Sequence, residues 1–344
     1  MECTLWVGIC FVFCALAYGS SSAAVSEGLK YFTPEMVITF RMFFGCCFCL
    51  LVMICRIIWQ PGYKQIWRAH FTSGGWPIFH VAIGGLLNLG IPHSLIAIAQ
   101  QWIPSAAVQL AKPLIPAASA IFGQCFPINE PFTRNKLYAL ITAIIGVSLS
   151  ATPSFLHTNA KATINNVIIG YILLISSMGV LGLAAVYFRW KTPNMDITVS
   201  SFLQTGFSSI FCFVWSMIMD GKDKFIHICK TATPYGWLWP VLLGVVASGI
   251  AVHGFMYIVE KLGAVGSGFI PFGQIVVGVT IGVFALNEWK GYSLWEIMLQ
   301  IVGIVFLSSA ILIGFLHEKE EETEKHPEEE AHPEEESSAS LIEI

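Results

Sequence analysis

The stretch WIPSAAVQLAKPLIPAASAIFGQCFPINEPFT, Trp102 to Thr133, reads as a nearly uninterrupted apolar helix that nevertheless carries Lys112, flanked by Gln109, Pro113 and Pro116. At helical spacing Ser105, Gln109, Lys112, Pro116, Ser119 and Gly123 fall three or four residues apart, so one polar and small-residue stripe descends a greasy cylinder. Such a stripe faces protein or water and not lipid. The segment recurs: a shift of 158 residues carries Pro113 to Pro271 and the pair Asn129-Glu130 to Asn287-Glu288. The chain reads as internally duplicated.

Working outward, 344 residues that are 55% hydrophobic and only 12% charged do not make a soluble domain, in which about a quarter of residues are charged. This is the composition of an all-α polytopic membrane protein. The first 316 residues hold 16 Lys and Arg against 10 Asp and Glu, and the last 28 hold two Lys against 12 Glu. A mildly basic body is what short cytoplasmic loops produce, so the expected partners are a small-molecule substrate and the lipid bilayer, with no nucleic acid. Most of the ten cysteines (Cys10, Cys14, Cys46, Cys47, Cys49 and Cys212 among them) sit in apolar helix, where Cys acts as a small hydrophobe. Cys46 and Cys49 have CxxC spacing without a second pair or a nearby His, so no metal and no cofactor is expected. The first apolar run, Leu5 to Val25, lacks a basic leader and is read as a retained span.

About 20 apolar residues cross about 30 Å of hydrocarbon. Windows of that length give ten candidate spans: 4–26, 35–58, 77–99, 103–127, 136–153, 166–188, 197–219, 236–258, 263–286 and 292–316. With the N-terminus inside, the cytoplasmic segments hold ten Lys and Arg (Arg56, Lys64, Arg68, Arg134, Lys136, Arg189, Lys191, Lys261, Lys319, Lys325) and the outer connections six (Lys30, Lys161, Lys222, Lys224, Lys230, Lys290). Both termini are therefore expected in the cytoplasm.

Five spans per half is an odd number, so the second half starts on the opposite side of the membrane and the two halves are inverted. Residues 1–153 form one five-helix repeat, 154–165 a polar linker, and 166–316 the second repeat. Inverted repeats place a substrate site near the midplane, reached alternately from each side. Residues 317–344 repeat His-Pro-Glu-Glu-Glu at His326 and His332, an acidic segment expected to be disordered. Leu341-Ile342 after acidic residues is similar to a dileucine sorting signal, so a trafficking partner for the tail is one reading and a solvated tail without specific function the other.

Several of these residues resemble the drug/metabolite transporter superfamily, in its ten-helix EamA-type branch. Tyr18-Gly19-Ser20-Ser21-Ser22 looks like that family's first-helix Trp-Gly-Ser motif, and Thr39-Phe40-Arg41-Met42 is similar to its second-helix Arg-Phe element. Asn129-Glu130-Pro131-Phe132-Thr133, followed by Gly146, resembles the Glu signature that leads into a Gly-bearing fifth helix, and Asn287-Glu288 with Gly303 repeats it. Tyr18 stands for the usual Trp, Ala139 where Gly is common, and Lys112 lies outside the pattern. The resemblance implies ATP-independent movement of a small metabolite by alternating access, often as exchange or with an ion gradient.

Lys112 lies about nine residues into its helix, where an ionisable group costs at least about 2.5 to 3.5 kcal/mol on insertion scales. It faces a cavity, or it pairs with Glu27, Glu35 or backbone carbonyls. Pro113 and Pro116 remove backbone donors and free the carbonyls of Gln109 and Lys112, a helix break suited to gating beside protein or water. In the second half Pro271 frees Ser267, and Gly263, Ser267 and Gln274 repeat the stripe, but Ile270 stands where Lys112 does. The site is thus asymmetric and points to an anionic or zwitterionic solute, neutralised by Lys112 and oriented by Gln109, Ser105, Ser267 and Gln274. Arg41 is the second cation, either a ligand or a structural group. Gln204, on a face with Ser201, Thr205 and Ser208, lines the cavity or bonds neighbouring helices. His80, His93 and His253 hold a substrate acid or are satisfied core side chains. No Asp or Glu sits deep in a span, which favours exchange or facilitated diffusion over a proton relay, and Glu130 and Glu288 read as helix-end caps. Within transport, the alternative solute is a neutral or cationic amino acid, a nucleoside or a drug-like amine. A lipid-active enzyme lacks a clustered acid, base or metal set, so no enzyme activity is expected, and a receptor or scaffold lacks a ligand-binding domain.

Overall fold

The computed structural model describes residues 2–72, 75–127, 133–156, 163–191, 195–255, 257–258, 261 and 270–325. Its helices, in chain order, are α1 (Glu2–Gly28), α2 (Pro34–Trp59), α3 (Tyr63–Thr72), α4 (Gly75–Ala99), α5 (Ser105–Ala111), α6 (Leu114–Gly123), α7 (Arg134–Leu156), α8 (Ile164–Lys191), α9 (Ile197–Asp220), α10 (Lys222–Thr231), α11 (Pro234–Phe255), α12 (Ile270–Ala285) and α13 (Leu294–Lys325). Eight are long and apolar enough to cross a membrane, or nine if the bent pair α5 and α6 is one span, and α12 is a shorter apolar helix. The expected ninth window, 263–286, is described only from Ile270, and the count of ten is not reached among the described residues. The chain is an all-helical, multi-pass integral membrane protein.

Helix boundaries follow local chemistry. Thr33 precedes Pro34 and its hydroxyl accepts from Met36 N, Thr233 precedes Pro234 and accepts from Gly236 N, and Asp196 accepts from Thr198 N and Val199 N. Each is an N-cap, twice with Pro at the first helical position where its missing donor costs nothing. α7 runs through Pro153 to Leu156, into the segment read as linker, and α13 continues to Lys325, into the stretch read as a disordered tail. The first Pro after that span is Pro327, so no helix breaker stops α13 earlier.

The segment that opened the sequence reading departs from it. The expected single helix is two short ones, α5 and α6, bent by 40° at Lys112-Pro113. The carbonyls that the prolines free do not wait for a ligand. Lys112 N donates to Gln109 O at 3.3 Å and Ile115 N to Lys112 O at 2.9 Å, a tightened turn. The bend also breaks the stripe: Ser105, Gln109 and Gly123 are buried, and Pro116 is exposed.

Two helix pairs carry the largest packing, α7 with α13 and α2 with α9. Thr33 of α2 reaches Asp220 at the end of α9, Gly45 lies by Thr205, and Arg56 reaches Asp196 before α9 begins, so these two helices run antiparallel. On the other pair Gln300 bonds Ser150 while Leu307 approaches Gly146, again antiparallel. Around them α6 packs on α8, α1 on α12, α4 on α9 and α2 on α11. We call the ends of the bundle the Thr33 end and the Arg56 end.

π-helical turns interrupt α4 at Leu86–Gly90 and α11 at Leu243–Ile250. A π turn leaves carbonyls without an in-register donor, and side chains take them. His93 Nδ1 donates to Leu89 O at 3.1 Å, Ser94 to Gly90 O at 2.8 Å and His253 Nδ1 to Gly249 O at 3.0 Å. Glycines set the close crossings: a Cβ on Gly244 would stand 2.6 Å from Arg41 O, and one on Gly85 2.7 Å from the Gln204 Cα, so these helices meet backbone to backbone.

Candidate functional site

The face of α1 orders the interior. Ser26, Ser22 and Tyr18 are spaced four residues apart, one below the next by about 6 Å. Ser26 lines a cavity of about 460 Å³ at the Thr33 end, shared with Glu27, Lys30, Gln100, Trp102, Glu288, Lys290 and Tyr292. Ser22 belongs to an amide layer beneath it: its carbonyl accepts from Gln100 Nε2 at 2.8 Å and its hydroxyl from Gln109 Nε2 at 2.9 Å. Tyr18 lies at the level of Lys112, about 15 Å from the Gly28 end of α1 at 1.5 Å per residue, which is half depth in a bilayer core of about 30 Å.

Lys112 closes α5 at the bend. Its ammonium donates to Gln274 Oε1 at 2.7 Å and lies 3.4 Å from Tyr18 O. Neither Glu27 nor Glu35, the acids named as its alternative partners, bonds it; Glu27 is taken by Lys30 at 2.6 Å. Gln109, fully buried, donates also to Tyr18 O and Gly19 O, both at 2.9 Å, and its Oε1 has no partner among the described residues. Gly278 makes room for it, since a Cβ there would stand 3.0 Å from both Gln109 Cβ and Gly19 O. Thus Lys112, Gln109 and Gln274 come together, on helices from both halves of the sequence.

Arg41 and His93 join that level. Arg41, 5% exposed, donates from Nε to Ser248 Oγ at 3.0 Å, and the close approach of α11 at Gly244 and Gly45 brings Ser248 there. The charges of Arg41 and Lys112 both bear on His93, and that of Arg41 on Lys112. Tyr18, His93 and Lys112 are each half-buried.

Other residues named from sequence lie elsewhere. Ser105 is buried at the start of α5, where its backbone N and that of Ala106 donate to the Glu288 carboxylate at 2.7 and 3.0 Å. Pro104, before α5, has no capping group, so Glu288 caps the helix from α12's exit. Gln204 bonds Ser200 and Asn88 and packs against Gly85; it cements α4 to α9 and does not meet Lys112. His253 lies nearer the Arg56 end, 3.5 Å from Thr198 Oγ1. Pro113 sits at the bend, Pro116 faces outward, and Pro271 is the second residue of α12. Ser267, Gly263 and Asn129-Glu130 lie outside the described residues. Sequence reasoning missed Ser22, Ser248 and Gln100 as partners. Only the four-residue spacing of Ser22 from Tyr18 was there to find.

The Arg56 end is closed by a clasp between α2 and α9. Arg56 Nη1 reaches Asp196 Oδ2 at 3.3 Å and Thr198 Oγ1 at 2.7 Å, and its guanidinium lies 4.1 Å from the Tyr63 ring centroid. Tyr63 OH donates to Asp196 Oδ1 at 2.6 Å; burial first, and that bond second, raise its ionisation above the usual phenol range, so it stays a donor. At the Thr33 end the same helices are joined by Thr33 Oγ1 donating to Asp220 Oδ2 at 2.6 Å.

The described residues thus form an all-helical multi-pass bundle with a polar cluster at half depth, beneath a cavity at one end and a clasp at the other. Residues 5–152 match the model of the EamA-like transporter family, a match consistent with the drug/metabolite transporter superfamily and with a membrane transporter of small molecules. A solved structure titled only "Crystal structure of protein" aligns over 92% of this chain and 98% of its own, with a TM-score of 0.55 and 15% identity, a likeness of fold alone. No curated protein matches the chain.

Proposed function

We propose that the chain moves a small anionic or zwitterionic metabolite across the membrane by alternating access, without ATP, and binds it at half depth on Lys112, Gln109 and Gln274. The observation that carries this reading is the Lys112 ammonium, held inside the bundle by an amide and a carbonyl, with no carboxylate bonded to it among the described residues. A buried charge in that setting lacks a counter-ion, and an anionic solute supplies one. The amide layer of Ser22, Gln100 and Gln109 is then the barrier on the Thr33 side and the Arg56 clasp the barrier on the other.

In this reading residues 1–153 and 166–316 are inverted five-helix repeats joined by 154–165, followed by the acidic tail 317–344. The antiparallel pairs α2 with α9 and α7 with α13 support it, because each joins helices that occupy the same place in the two halves. The excess of Lys and Arg at the Arg56 end supports a cytoplasmic location for that end and for both termini.

The experiment is uptake into proteoliposomes of a panel of labelled anionic, zwitterionic and cationic metabolites by the wild type, Lys112→Ala and Lys112→Arg. Uptake of an anionic or zwitterionic solute that falls at least about tenfold in Lys112→Ala upholds the reading. Uptake of anionic solutes equal in all three proteins discards it.

A further inference from the structure

Arg41 is a second cation at half depth that the Lys112 site leaves unexplained. It is nearly all buried, and among the described residues only its Nε is engaged, with Ser248 Oγ. Its two terminal nitrogens donate to no described residue, and no described carboxylate pairs with it. The nearest acid on its own helix, Glu35, is six residues away, about 9 Å along the axis. An ionised guanidinium taken out of water costs several kcal/mol unless an opposite charge and hydrogen bonds repay it. A second cation close enough to act on it adds repulsion.

The geometry also leaves the planar fork of Arg41 available. Ser248 holds it from the Nε side, on the π turn of α11, while Gln274 holds Lys112 from α12. The two cations are therefore anchored independently, by residues of the second half of the sequence. A guanidinium fork matches a carboxylate or phosphate in two parallel bonds, and an ammonium acts as a point charge. One monoanion neutralises one of them and leaves the other unpaired.

Building on the reading of Lys112 as a solute ligand, we propose that the solute is a small dianion and that Arg41 is the residue that selects it over monoanions. Lys112 takes one negative charge and Arg41 the other. Both charges on one phosphate, or on two carboxylates, satisfy the same pair.

The test is competition for binding, read as thermal stabilisation of purified full-length protein. Succinate, glycerol 3-phosphate and inorganic phosphate are compared with acetate, lactate and monomethyl succinate. In the wild type at least one dianion acts at a concentration at least tenfold lower than any of the monoanions, and methyl esterification of succinate weakens it tenfold. In a folded Arg41→Gln the ratio between dianion and monoanion falls to about one, and Lys112→Ala weakens both classes. Equal potency of the two classes in the wild type, binding by none of the six, or an unchanged ratio in Arg41→Gln overturns the inference. The ester comparison needs no variant and decides the matter if Arg41→Gln does not fold. A tenfold dianion preference that persists in Lys112→Ala removes the Lys112 reading instead, which is a separate failure.

Discussion

Gly146 and Gly303 meet backbone to backbone. A Cβ on Gly146 would stand 3.0 Å from the Gly303 carbonyl oxygen, and a Cβ on Gly303 2.9 Å from the Gly146 carbonyl oxygen. The contact is reciprocal and joins the antiparallel helices α7 and α13.

The first prediction follows from that contact. Gly146→Ala and Gly303→Ala each force α7 and α13 apart, since Leu307 Cγ at 2.7 Å and Ser150 Oγ occupy the remaining space. Each is expected to destabilise by about 1 to 3 kcal/mol, read as a lower melting temperature in detergent. Gly179→Ala is the control: nothing lies within 4 Å of its Cβ position, so it is neutral or stabilises by up to about 1 kcal/mol through helix propensity. Equal melting of all three would refute the packing.

Glu288 is a structural clamp on α5. Glu288→Ala leaves the Ser105 and Ala106 amides without their carboxylate, at about 1 to 3 kcal/mol for each donor left unsatisfied. Glu288→Gln keeps one acceptor and is expected to melt between wild type and Ala. Because α5 carries Lys112 at its far end, uptake falls in the same order. A Glu288→Ala protein as stable as wild type removes the clamp.

Pro113 sets the bend that places Lys112. Pro113→Ala restores a backbone donor at the junction, so that α5 can continue into α6 without the cost of about 3 kcal/mol that a proline inside a helix would carry. The variant is expected to be at least as stable as wild type and to lose most uptake, because straightening α5 into α6 moves the ammonium away from Gln274. Full uptake by Pro113→Ala would show that the bend does not serve transport.

The clasp at the Arg56 end separates capping from charge. Asp196→Asn keeps an oxygen for Thr198 N and Val199 N but loses the ion pair, and that pair, partly exposed, contributes at most about 1 kcal/mol. Asp196→Ala also removes the cap, a further loss of about 0.5 to 2 kcal/mol. Tyr63→Phe removes one hydrogen bond, about 1 kcal/mol. Chemical denaturation that ranks Asp196→Ala as mildly as Tyr63→Phe contradicts this partition.

The contact of Lys112 with Gln274, and the nearness of Gln109, was legible before folding, since all three were named from a polar stripe and its repeat. Gln204 was named from the polar face of its own helix and His253 as a histidine in an apolar helix, and their described bonds lie elsewhere. A polar side chain on an apolar helix has one face but many neighbours, and helical spacing says nothing about which helix it meets. For Arg41, open between ligand and support, the structure adds Ser248 on its Nε and no described acid on its other nitrogens.

The amino-acid sequence by itself determined that this is a helical membrane protein with a charge at half depth, because burial of backbone in lipid and a 1.5 Å rise per residue leave few alternatives. It also marked a helix break, through Pro113. Only the tertiary structure decided the partners: Gln274 for Lys112, Ser248 for Arg41, Glu288 for the start of α5, Asp196 for Arg56. Those pairs join residues more than a hundred positions apart, and they depend on helix crossings fixed by small residues such as Gly244, Gly278 and Gly303, whose meaning lies in the atoms across from them.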